Sequence, residues 1–92
     1  MEIWKHKLKI TDAQTLFMPQ GARQLKIAEQ DGELCMWSLV DTAERHESVH
    51  VIIVGTGQEF DDVNLHYVGT AQVGQFVWHV FTSIAAPSVE NF

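Results

Sequence analysis

The chain has 92 residues, 46% of them hydrophobic, enough for one small domain with its own core and too apolar for a disordered segment. Twelve acidic against six basic residues give a formal charge of −6, which disfavours a duplex-DNA partner because such proteins need clustered Lys and Arg to displace counterions from phosphate. A single cysteine rules out an internal disulfide, and the longest aliphatic run, Val51 to Val54, is far short of the roughly 20 residues that span a bilayer, so a cytoplasmic protein with no membrane partner is expected.

From Ile3 to Ile10, Trp4, His6, Leu8 and Ile10 alternate with Lys5, Lys7 and Lys9. That pattern predicts a half-buried edge strand whose lysines discourage pairing with other chains. Thr11 to Gln14 reads as a turn and Thr15 to Met18 as a short second strand, followed by a type II turn at Pro19-Gln20-Gly21. Gln24 to Gln30 predicts a strand with Leu25 and Ile27 on one face. Asp31-Gly32 is a two-residue hairpin signal leading into Glu33 to Asp41. In that second arm both faces carry apolar groups, which predicts a central, covered strand with Trp37 in the core.

Thr42 to Ser48 is the most polar segment and reads as an exposed connection. Val49 to Val54 is a β-branched strand ended by Gly55-Thr56-Gly57, Gln58 to Asn64 a loop, and Leu65 to Val68 a short strand closed by Gly69-Thr70. Gln75 to Ile84 is the last strand, with Phe76, Trp78, Val80 and Thr82 opposite Val77, His79, Phe81 and Ser83. The domain is thus expected over residues 1–84, with 85–92 a loosely held tail. About seven short, mostly antiparallel strands without helical crossovers indicate an all-β sandwich or small barrel.

The feature that organises this reading is a near-repeat, Val54-Gly55-Thr56-Gly57-Gln58 and Val68-Gly69-Thr70-Ala71-Gln72. Such segments can offer backbone N–H groups and hydroxyls to an anion, although the Lys and following helix of a phosphate-binding loop are missing. The candidate ligand-binding residues are Thr56, Gly57, Gln58, Thr70 and Trp78, with Arg23 for a phosphate. Trp4, Trp37, Tyr67, Phe76 and Trp78 are stacking candidates that a small core also needs. His46-Glu47-Ser48-Val49-His50 fits H-E-x-x-H, but in a strand its histidines stand about 13 Å apart at roughly 3.3 Å per residue, too far to share one zinc. His79 lacks a recognisable nucleophile and orienting acid, and Glu59, Asp61 and Asp62 lack the spacing of a calcium loop. No catalytic residue, metal or cofactor is therefore expected.

Ile3-Trp4-Lys5, Met18-Pro19-Gln20-Gly21-Ala22, Met36 to Asp41, Val54 to Gln58, Tyr67-Val68-Gly69-Thr70 and Val77-Trp78-His79-Val80-Phe81 occur in this order. The ordered set resembles an uncharacterised family of small proteins encoded mainly by bacteriophages and prophages. The resemblance implies a phage-encoded accessory protein of the host cytoplasm and carries over no catalytic or ligand-binding residue. The expected function is non-enzymatic counter-defence, by sequestering a nucleotide-like signal. The rival expectation is an acidic inhibitor that covers a basic site on a host or defence protein through Glu44, Glu47, Glu59, Asp61 and Asp62; a minor virion component is a third. Exposed sheet edges are expected to favour a homo-oligomer.

Overall fold

The computed structural model describes residues 1–83. The seven strands are β1 (Glu2–Leu8), β2 (Ala13–Pro19), β3 (Arg23–Gln30), β4 (Glu33–Val40), β5 (His46–Gly55), β6 (His66–Val73) and β7 (Phe76–Ser83). They form two antiparallel sheets, a three-stranded one in the order β1-β4-β3 and a four-stranded one in the order β2-β5-β7-β6. The all-β, sandwich-like architecture anticipated from the alternation is therefore present, and the described residues contain no helix. The tail expected over 85–92, and Ile84 at the end of the last strand, lie outside the described residues.

Each strand turns one side chain in two towards the space between the sheets. The core there comprises Leu8, Ile27, Leu34 and Met36 from the first sheet and Met18, Val49, Val51, Ile53 and Val80 from the second, with Trp4, Leu16 and Trp78 packed around it. Burying each such aliphatic side chain stabilises the fold by about 1.5–3 kcal/mol. Ser38, one of the polar residues admitted to this layer, is satisfied by donating its hydroxyl hydrogen to Gln24 Oε1, as a buried hydroxyl requires.

Local chemistry explains the connections. Asp31 (φ 53°) and Gly32 (φ 81°) both occupy the left-handed region, the geometry of a two-residue type I′ hairpin between Gln30 and Glu33. A second tight hairpin, unanticipated, joins Val73 to Phe76 through Gly74 at φ 63°. β4 is central, as its doubly apolar pattern predicts.

Several expectations need correction. Ile10 lies beyond β1 and is exposed. The second strand is longer than expected and includes Pro19, which opens the following turn: Ala22 N–H donates to Pro19 O at 3.2 Å, so Gly21 (φ 81°) stands at its third position. Trp37 points outward, flanked in register by Lys5 and Lys26, and takes no part in the core. Leu25 and Ile27 do not share a face; a bulge between Gln24 and Lys26 leaves Leu25 exposed and Ile27 buried. β5 begins at His46, so the exposed connection is shorter than Thr42 to Ser48. Finally, Gly69-Thr70 does not end a strand, because β6 runs through it to Val73.

Candidate functional site

The two Gly-Thr segments meet at one histidine. Thr70 pairs with His79 across the β6–β7 ladder, and directly opposed residues send their side chains to the same face. Thr70 Oγ1 lies 2.9 Å from His79 Nδ1. Thr56, just past the end of β5, places its Oγ1 2.7 Å from Nε2 of the same ring. A neutral imidazole has one donor and one acceptor nitrogen, so both positions of His79 are filled by threonine hydroxyls. Tyr67 extends the chain, its hydroxyl 2.5 Å from Thr70 Oγ1.

A β-bulge makes that last contact available. In a regular strand, residues three apart face opposite sides. Here the register shifts between Tyr67, opposite Phe81, and Gly69, opposite Val80. The additional residue, Val68, turns Tyr67 to the same outer face as Thr70, the kind of re-aiming that bulges perform. The Tyr67 ring packs edge-on to Phe81 at 5.5 Å, and Phe60 from the β5–β6 connection covers Phe81 at 5.2 Å. Tyr67 is thereby held from behind while remaining 60% exposed.

The bulge in β3 has the matching effect on the neighbouring strand. It lets Gln24 and Ile27 both turn inward, and Arg23 and Lys26 both turn outward, although each pair is three residues apart. β3 and β6 belong to different sheets but pack against each other, with Ile27 lying over Gly69; a Cβ on that glycine would fall 3.0 Å from Ile27 Cβ. Between the bulged stretches is a cleft of about 300 Å³, at the small end of ligand-site volumes. Arg23 and Gln24 come to it from β3, Glu47 from β5, and His66, Tyr67 and Val68 from β6.

The sequence candidates are thus divided among three places. Thr56 and Thr70 join His79. Thr56 and Trp78, together with Phe76, also line a second cleft of about 330 Å³ at the far end of β7. Arg23 belongs to the inter-sheet cleft with Tyr67, away from Trp78. Gly57 (φ 88°) shapes the turn after β5, and Gln58 closes it by accepting from Gly55 N–H through its own side chain at 3.0 Å. The acidic candidates separate as well. Glu44 sits in the β4–β5 turn and Glu47 lines the inter-sheet cleft, whereas Glu59, Asp61 and Asp62 are exposed on the connection that carries Phe60.

Sequence reasoning named Tyr67 only among several stacking candidates and did not single out His66 or Gln24, because the strand alternation does not announce the two bulges. Glycine next to Tyr67-Val68 was the available hint, since an isolated glycine inside a strand marks a bulge or a close backbone approach. The H-E-x-x-H stretch lies in β5; His50 Nδ1 is 3.2 Å from Thr15 Oγ1 and His46 stands beside Trp4. Among the described residues, no three His, Cys, Asp or Glu side chains come together as a metal site. Cys35 is a buried free thiol.

No curated protein and no solved structure matches the chain. A family model described as Domain of unknown function (DUF7352) matches residues 1–90. That match extends over both bulged strands, both Gly-Thr segments and His79, and the chain belongs to the DUF7352 family.

Proposed function

We propose that this chain is a non-enzymatic accessory binding protein, encoded by a phage or prophage, that sequesters a nucleotide-like ligand in the cleft between β3 and β6 during the contest with a host defence. The phage setting rests on the resemblance of the ordered motifs from Ile3-Trp4-Lys5 to Val77-Trp78-His79. The observation that carries the ligand class is the position of Tyr67. Exposed Tyr67 borders the same cleft as Arg23, and its hydroxyl is fixed by the Thr70–His79–Thr56 chain. A base can stack on such a held aromatic ring, an interaction worth about 1–3 kcal/mol. The Arg23 guanidinium suits a phosphate, with its planar fork of donors. Glu47, in the same cleft, rewards a ligand that also carries donors, such as ribose hydroxyls or an exocyclic amine. A simple anion satisfies only Arg23.

Stoichiometric binding fits His79 better than catalysis does. Both its nitrogens bond threonine hydroxyls, and among the described residues no carboxylate orients the ring as the third member of a hydroxyl–histidine–acid arrangement. The test is titration calorimetry of the folded protein against cyclic dinucleotides, cyclic mononucleotides and ADP-ribose. Saturable binding of at least one, weakened tenfold or more by both Arg23→Ala and Tyr67→Ala, is the expected result. No heat from any of them up to millimolar concentration would remove this reading.

One observation favours a second reading, the inhibitor of a basic protein. Phe60 is 45% exposed and is flanked by Glu59, Asp61 and Asp62 on the connection that crosses the outer face of the four-stranded sheet. An aromatic anchor ringed by charge resembles an interface centre. Affinity purification from expressing cells separates the two readings. A stable host protein recovered with wild type and lost with Phe60→Ala supports the inhibitor.

A further inference from the structure

The two sheets have four edge strands, β1 and β3 in one and β2 and β6 in the other. An edge strand displays unpaired N–H and C=O groups that invite another strand, and soluble proteins commonly cover or charge such edges. β3 and β6 cover each other through the Ile27–Gly69 contact. β1 carries Lys5 and Lys7 on its outward face. Among the described residues, β2, Ala13-Gln14-Thr15-Leu16-Phe17-Met18-Pro19, has neither protection. It contains no charged residue, and its outward side chains are Ala13, Thr15 and Phe17, the last 66% exposed.

We propose that β2 is the dimerisation edge of this protein and that its occupant is β2 of a second copy of the chain, running antiparallel. Self-pairing is the arrangement this strand suits. A two-fold axis perpendicular to the sheet brings the same strand to itself in antiparallel sense, so one uncharged sequence satisfies both sides without any like-charge opposition. It joins two four-stranded sheets into one of eight strands. Phe17 of each copy then lies on the same outer face of the joined sheet, where each ring gains apolar neighbours that the monomer does not give it. A charged foreign strand would gain nothing from β2 beyond backbone bonds, because β2 offers no ion-pair partner. Pro19 limits the ladder at its end, since it has no N–H to donate. The axis lies at the opposite edge of the four-stranded sheet from β6, so the cleft at Arg23 and Tyr67 stays open in the dimer and this inference is independent of the ligand.

The experiment is light scattering coupled to size-exclusion chromatography on the full chain across a concentration series, paired with amide hydrogen exchange. A dimer at twice the 10.4 kDa chain mass is expected, with slowed exchange along β2. Phe17→Lys, at an exposed position that leaves the core untouched, should return the protein to a monomer with β2 amides exchanging faster, while Ile3→Lys on β1 should leave the dimer intact. A wild-type monomer at every concentration overturns the proposal, also when β2 is protected, because another part of the same chain then covers the edge. A dimer that survives both Phe17→Lys and Thr15→Lys overturns it too, by placing the interface elsewhere.

Discussion

Gly55-Thr56 and Gly69-Thr70 are the same dipeptide in two different structural roles. The first ends β5, where the chain turns through Gly57 and Gln58 folds back onto Gly55 N–H. The second lies inside β6, directly after a bulge, where the missing side chain of Gly69 makes room for Ile27. One glycine serves a turn and the other a close approach between sheets, yet their threonines converge on His79. Local sequence identity therefore fixed neither the backbone setting nor the meeting point of the hydroxyls, which the tertiary structure supplies at His79.

Mutations sharpen that contrast. The largest effect is expected at the interior glycine. Gly69→Ala puts a methyl group 3.0 Å from Ile27 Cβ and 3.4 Å from Ile27 N, overpacking that typically costs about 1–3 kcal/mol. Urea denaturation should show a lower midpoint with an unchanged slope. Gly55→Ala meets the edge of the Trp78 ring at 3.4 Å and Gln58 Oε1 at 3.6 Å, ordinary van der Waals contacts, so its loss should be clearly smaller; equal losses would break the distinction between the two glycines.

His79→Ala comes next. It removes both threonine contacts, and at about 0.5–1.5 kcal/mol per hydrogen bond the partly exposed site should lose about 1–2 kcal/mol in the same assay. It should also release Tyr67, weakening ligand binding more than stability alone accounts for. Tyr67→Phe keeps the ring and deletes only the hydroxyl bond to Thr70, so a loss of about 1 kcal/mol or less is expected.

A smaller effect, confined to acid solution, contrasts His79 with His6. His6 faces inward beside Trp4, its Nε2 buried with no hydrogen-bond partner among the described residues, and burial lowers its pKa from the ordinary 6.5. The unfolded chain therefore takes up a proton more readily than the folded one. Stability should be unaffected by His6 above pH 6.5 and should decline as pH falls below it towards the lowered folded value. Denaturation midpoints at pH 7.5, 6.5 and 5.5 check this, with His6→Leu expected to flatten that part of the decline.

Much of the architecture was legible because strand alternation and turn chemistry are local. Trp4, His6 and Leu8, the even positions of β4, and Trp78 and Val80 all face the way their period-two pattern requires. Asp31-Gly32 carried its own hairpin. What escaped was set by distant contacts. Trp37 reads as core from its neighbours, but which face of a central strand meets the other sheet is decided by register with β1 and β3. The bulges at Leu25 and Val68 change the facing of every later residue in their strands without a distinctive residue of their own. Thr56, Thr70 and Arg23 were thus named from chemistry, whereas their division between the His79 chain and the cleft, and the central position of Tyr67, required the tertiary structure.

The central claim is that the paired bulges of β3 and β6 build a nucleotide-accepting cleft around Arg23 and Tyr67. Its most direct test is a 1H–15N NMR titration of the intact protein with the tightest-binding nucleotide from the calorimetric panel. The account predicts saturable shifts concentrated at Arg23, Gln24, His66, Tyr67 and Thr70, with little change at the Phe60 connection. Shifts centred on Glu59 to Asp62, or on the Thr56–Trp78 cleft with Arg23 and Tyr67 unmoved, would contradict it.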